Sequence, residues 1–133
     1  MDLMLNSFLI SVIDDDESVR ESLEGLMRSV GLAVKTFPSA EEFLKSEQVR
    51  DTSCLIVDLR MPGMSGLELQ RRLITDRQSM PVIFITAHGS DSVARAEALR
   101  NGAHAFLHKP LSEDAILNAV RSALDRMKTG SVQ

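Results

Sequence analysis

The sequence has a single cysteine, Cys54, among 133 residues. One thiol excludes an intramolecular disulfide framework and a cysteine-based zinc cluster. Its place at the head of an apolar run makes it a small buried hydrophobe. Basic residues are not in excess: 15 lysines and arginines face 19 aspartates and glutamates, for a net charge of −4. A nucleic-acid-binding surface is therefore not expected of this chain, and a DNA-binding role would have to come from a partner or a further segment. No apolar stretch has the length of a transmembrane helix. Residues 1–7 carry no basic residue of the kind that opens a secretory signal. Internal repeats and low-complexity tracts are missing as well. These absences leave the expectation of a soluble, cytosolic protein. The length suits one domain, and a hydrophobic content of 44% is enough for its core.

What is present is organised around Cys54-Leu55-Ile56-Val57-Asp58-Leu59-Arg60-Met61-Pro62-Gly63. The apolar run reads as a strand buried on both faces. Asp58 sits where that strand emerges, and the Pro-Gly pair turns the chain just beyond it. Taken alone, the stretch is equally the description of an acid that accepts hydrogen bonds at a strand end.

The rest of the chain alternates between two periodicities. Phe8 to Ile13 is an apolar run that ends in Asp14-Asp15-Asp16-Glu17. Val19, Leu23, Leu26, Met27 and Val30 then follow helical spacing, with Ser18 and Glu21 in capping-box positions and Gly31 as a stop. Leu32 to Phe37 carries Lys35 and so suits an edge strand. Ser39 opens a short helix containing Phe43 and Leu44. After the turn at 61–65, Ser65 and Glu68 match a second capping box, and Leu69 and Leu73 form a buried stripe with Ile74 at its margin. Pro81 to Thr86 is a buried strand that ends in a hydroxyl. Asp91 to Arg100 is an alanine-rich helix whose larger apolar residues are Val93 and Leu99. Ala103 to His108 is the fifth strand, followed by Lys109-Pro110. A last helix from near Ser112 places Ile116, Val120, Ala123, Leu124 and Met127 on one face.

Five strand–helix alternations predict an α/β fold: a doubly wound, five-stranded parallel sheet with helices on both faces. Right-handed crossovers and the three most apolar runs at the centre favour the order 2-1-3-4-5. The expected division is an N-terminal extension over 1–7, a domain over 8–127, and a polar tail or linker start over 128–133.

In that order Asp14 and Asp15, Asp58, Thr86 and Lys109 all fall at C-terminal strand ends, which lie on one rim of a parallel sheet. Ligands of open α/β sheets bind at this rim, near the switch point between strands one and three. Three carboxylates at close range need compensation, and an oxygen-only donor set suits Mg²⁺. Lys109 is a point charge apt for a phosphoryl oxygen, and Thr86 has one hydrogen bond to donate. The set fits phosphoryl transfer, which depends mostly on positioning and charge neutralisation. A free carboxylate would take the phosphoryl group as an acyl phosphate. The plainer account of Asp16 and Glu17 is that they favour a helix N-terminus.

The motifs Val12-Ile13-Asp14-Asp15-Asp16, Val57-Asp58-Leu59-Arg60-Met61-Pro62-Gly63-Met64-Ser65-Gly66, Ile85-Thr86-Ala87-His88-Gly89 and Phe106-Leu107-His108-Lys109-Pro110 occur in this order. Together they resemble the receiver domain of bacterial two-component response regulators, a flavodoxin-like fold, over about residues 8–127. The resemblance is strongest to receivers joined to LuxR-type helix-turn-helix domains, and no such domain lies within these residues. It implies that Asp58 accepts a phosphoryl group from a sensor histidine kinase. Mg²⁺ would be held by Asp15 directly, by Asp14 through water, by Asp58 and by the Arg60 carbonyl. Thr86 would report the phosphoryl group and Lys109 would pair with it. Phe106 would be the aromatic member of the switch, and Lys109–Pro110 a cis peptide. The fourth helix, fifth strand and fifth helix would form the output face, a surface also suited to a homodimer. Arg60 and His88, each two residues past a key position, are expected to flank the path of the hydrolytic water and prolong the phosphorylated state.

Three rival readings fit the residues less well. A haloacid-dehalogenase-type phosphatase needs a second Asp two residues after the nucleophile, where Arg60 stands. A flavodoxin-like FMN protein needs a hydroxyl- and glycine-rich loop after strand one, where the acids stand. A degenerate receiver serving only as a scaffold is hard to reconcile with a complete set of acids, threonine and lysine.

Overall fold

The computed structural model describes residues 7–87 and 92–132, with side chains described as far as 127. Five strands are present: β1 (Leu9–Ile13), β2 (Ala33–Phe37), β3 (Cys54–Asp58), β4 (Val82–Thr86) and β5 (Ala105–His108). The helices are α1 (Glu17–Ser29), α2 (Ala40–Lys45), α3 (Gly66–Thr75), α4 (Ser92–Arg100) and α5 (Glu113–Val132). All strand pairs are parallel, in the order β2-β1-β3-β4-β5. This is the expected doubly wound sheet.

The side-chain alternation of a strand explains why the central runs are apolar throughout. Ile10, Val12, Cys54, Ile56, Ile83 and Ile85 point to one face, where Leu23 and Met27 of α1 and Ile116, Val120 and Ala123 of α5 cover them. Ile13, Leu55, Val57 and Phe84 point to the other, against Phe43 of α2, Leu69 and Leu73 of α3, and Ala98 of α4. Every residue of β3 and β4 is buried, whereas Lys35 on edge strand β2 is exposed. Cys54 is fully buried, and desolvation pushes its thiol up to about 12.

Several boundaries differ from the sequence reading. The N-cap of α1 is Asp16, in an extended conformation, whose side chain accepts from the Ser18 backbone N–H at 2.9 Å. A short Asx-type contact two residues on takes precedence over the box at Ser18 and Glu21. At Ser65 and Glu68 the box does form, with reciprocal bonds of 3.2 and 2.9 Å. Ile74 is 52% exposed, because the buried stripe of α3 runs Gly66, Leu69, Gln70, Leu73 and so includes a polar residue. Met127 lies at the solvent edge of α5. β5 begins at Ala105 rather than Ala103. The backbone of α5 continues to Val132, through residues expected to be a tail. Gly130 opposes helix most strongly there, at about 1 kcal/mol, and no proline interrupts it.

Candidate functional site

The C-terminal strand ends converge as the topology requires. Asp14 follows β1, Asp58 closes β3, Thr86 closes β4 and Lys109 follows β5. The backbone ties these ends together: the Leu59 N–H donates to the Ile85 carbonyl at 2.8 Å, and the Lys109 N–H to the Thr86 carbonyl at 2.7 Å. The Lys109–Pro110 peptide is cis.

Asp14, Asp15 and Asp58 each offer a carboxylate oxygen within 4.8 Å of the others. Asp14 is fully buried, Asp58 is 7% exposed, and Asp15 faces solvent. Lys109 Nζ lies 3.1 Å from Asp14 Oδ2 and 3.5 Å from Asp58 Oδ2, and so bridges the two buried acids. Asp14 Oδ1 accepts from the Asp16 N–H at 2.9 Å, and the Arg60 N–H approaches Asp58 Oδ1 at 3.4 Å. Asp14 Oδ2 has its ion pair but no hydrogen bond. A buried carboxylate oxygen left in that condition, beside two further carboxylates, fits a hard divalent cation.

Thr86 is buried at the same rim. Phe106 is half-buried. Its ring lies 6.0 Å from that of Phe84, its neighbour across β4 and β5, and the Arg95 guanidinium sits 6.0 Å over its centroid. The Arg60 side chain is exposed, and His88 lies outside the described residues.

Burial raises the Asp58 carboxyl above its ordinary value. Asp14 adds to that rise, and Lys109 opposes it. Burial alone would lower the Lys109 ammonium, but Asp14 and Asp58 outweigh it and the net direction is up. An acid with a raised folded-state pKa favours the fold while protonated and costs stability once pH rises through that pKa. Asp58→Asn should therefore raise the Tm of the metal-free protein at neutral pH, by about 3 °C. The gain should shrink in acid, where wild-type Asp58 is itself neutral. Thermal melts in a chelator across that range check it, and a lower Tm for the variant at neutral pH would contradict it.

Three supporting residues escaped the sequence reading. Arg20 Nη1 donates to the Asp14 carbonyl at 2.8 Å and so ties the first turn of α1 to the acidic loop. Glu41 Oε2 of α2 accepts from the Met64 N–H at 2.8 Å and steadies the loop that follows Asp58. That bond holds the Glu41 carboxyl below its usual range. Gly66 opens α3 with no room for a side chain: a Cβ there would stand 2.6 Å from the Asp58 carbonyl oxygen. Gly66 appeared in a motif without a role. Arg20 and Glu41 carry no local signal in the sequence, since their partners are set by the tertiary fold.

The family described as "Response regulator receiver domain" matches residues 10–121. The chain is 45% identical over 116 residues to the response regulator protein TmoT of Ectopseudomonas mendocina, covering 87% of this chain and 52% of that protein. It is 46% identical over 123 residues to the transcriptional regulatory protein FixJ of Azorhizobium caulinodans, covering 92% and 58%. Among solved structures, FixJ-N matches with a TM-score of 0.79 at 39% identity, over 89% of this chain and 94% of that one. The response regulator StyR matches at 0.85 and 41%, over 96% and 66%. The chain spans about half the length of the curated relatives it matches.

Proposed function

This chain belongs to the response regulator receiver domain family, and from that membership we propose that Asp58 accepts a phosphoryl group from a sensor histidine kinase, with Mg²⁺ bound beside it. The observation that carries the reading is the Lys109 bridge between two buried carboxylates, Asp14 at 3.1 Å and Asp58 at 3.5 Å, on the rim that also carries Asp15 and Thr86.

In this reading an Asp58 oxygen attacks the phosphorus of a phosphohistidine. The P–O bond to Asp58 forms as the P–N bond breaks, and the imidazole leaves. Mg²⁺, held by Asp14, Asp15, Asp58 and the Arg60 carbonyl, would neutralise charge on the carboxylates and the phosphoryl oxygens. Lys109, already directed at Asp58, pairs with a second phosphoryl oxygen, and the Thr86 hydroxyl donates to a third. Water later hydrolyses the acyl phosphate and restores the carboxylate. The chain thus promotes only its own phosphorylation and dephosphorylation and turns over no other substrate.

The output belongs to the same reading. Engagement of Thr86 draws Phe106 inward against Phe84 and changes the face formed by α4, β5 and α5, where a second copy of the chain can dock. A DNA-binding effector domain, in keeping with the relatives named as transcriptional regulatory proteins, would read that face in the cytoplasm. Among the described residues no helix is long and apolar enough to cross a membrane.

The test is incubation with acetyl phosphate and Mg²⁺, followed by intact-mass measurement, with beryllofluoride as a stable mimic. Wild type should gain one phosphoryl group, and Asp58→Asn none. Wild type without added mass and without an Asp58-dependent response to beryllofluoride would refute the assignment.

A further inference from the structure

α4 is held in place unusually for a helix on a packed sheet. Of its nine residues, only Ala98 is buried. Its two larger apolar side chains face outward, Val93 at 81% and Leu99 at 42% exposure. A helix gains its position from an apolar face pressed on the core, and α4 has almost none.

Two polar contacts from α3 take that place. Gln70 is 3% exposed, sits inside the apolar stripe of α3, and donates from Nε2 to the Ala98 carbonyl at 3.0 Å. That carbonyl also accepts the Ala103 N–H at 2.9 Å, so the bond from Gln70 is additional to those of the helix end. The other half of the amide, Oε1, is buried without a hydrogen bond. One residue along, Arg71 reaches Glu97 from both Nε and Nη2, at 2.7 and 2.6 Å. The two contacts grip adjacent residues of α4, Glu97 and Ala98, from adjacent residues of α3.

We propose that Gln70 and Arg71 are positioning residues for α4, forming a polar clasp that sets where this helix lies against α3. Hydrogen bonds and ion pairs are directional and short in range, so a small slide of α4 breaks them. The few apolar contacts beneath would tolerate the same slide. The clasp therefore gives α4 one defined seat and a low barrier to leaving it. It is a property of the unphosphorylated fold and goes beyond the phosphoacceptor reading, so its test uses no phosphate.

The discriminating variant is Gln70→Leu. Leucine fits the stripe, cannot donate to Ala98, and removes the orphaned Oε1. Replacing a half-satisfied buried amide by an apolar group of similar shape is near neutral or stabilising. Hydrogen exchange resolves local opening from global unfolding. Amides within 92–100 should exchange about fivefold faster in Gln70→Leu, while its Tm stays equal to wild type or rises. Glu97→Gln, changed at a partly exposed position that leaves the core intact, should speed the same amides about threefold. The charge-swapped pair Arg71→Glu with Glu97→Arg should return them toward wild type. Faster exchange confined to α4 supports the clasp in either variant. Unchanged α4 exchange, or acceleration spread evenly over the sheet with a fall in Tm, overturns it.

Discussion

Lys109→Met should lower the stability of the metal-free protein by about 3 kcal/mol. Lys109 is the cation between Asp14, fully buried, and Asp58, whose side chain is 9% exposed. Its stem packs beside them, and its side chain is itself only 20% exposed. Methionine keeps most of the stem's volume, so the loss is electrostatic rather than a cavity. Removing one partner of a buried ion pair leaves the other uncompensated, and here it leaves two acids facing each other. Asp58, whose carboxyl burial and Asp14 already raise, relieves the repulsion by holding a proton. The deficit should therefore narrow as pH falls and widen as it rises. Mg²⁺ should restore the variant more than it stabilises wild type, since it supplies positive charge where the ammonium stood. Urea unfolding in chelator and in excess Mg²⁺, at two pH values, reads all three effects. Equal losses with and without Mg²⁺ would mean that the ion and Lys109 do not act on the same carboxylates.

The second large effect is expected at Gly66. An added Cβ meets the Asp58 carbonyl oxygen at 2.6 Å, the Leu59 Cα at 3.1 Å and Phe84 Cε1 at 3.1 Å. Two of these atoms are backbone and the third belongs to a fully buried ring, so none can give way freely. Overpacking of this kind costs about 1–3 kcal/mol, and Gly66→Ala belongs near the top of that range because the backbone must shift. The shift falls on the turn after Asp58, so phosphoryl acceptance should slow as well. Gly25 in α1 is the control. It is exposed, nothing lies within 4 Å of its would-be Cβ, and alanine there should add up to about 1 kcal/mol of stability. Urea midpoints of the two alanine variants should move in opposite directions; movement in the same direction would refute the packing argument at Gly66.

The contrast between these glycines shows where sequence reasoning reaches and where it stops. Strand order was legible because apolar runs, turn residues and helical periods alternate without ambiguity, and because parallel crossovers have one hand. That Asp14, Asp58, Thr86 and Lys109 lie at one rim follows from the same argument. Distances within the rim do not follow from it: Lys109 and Asp58 are 51 positions apart, and only the folded chain sets their 3.5 Å separation. Gln70 was invisible for a different reason. A polar residue in a helix is assigned to solvent by default, and the periodic pattern extended the stripe to Ile74 at its margin instead. Glu41 was hidden because its partner, the Met64 N–H, is 23 residues away on another element. The cap at Asp16 was missed by two residues, a local competition that propensity alone does not resolve.

Cys54 is the only thiol in the chain and lies at the start of the central strand, paired with Ile10 across β1 and sealed from solvent. With its proton held up to about 12, it offers almost no thiolate to an oxidant or an alkylating reagent at neutral pH. A reagent reaches it only in molecules whose sheet has come apart, so the rate of labelling counts openings of the core one molecule at a time. The native protein consequently carries a built-in gauge of global unfolding. It also presents a chemically silent surface, on which a single introduced cysteine would be the sole site to take a dye or spin label.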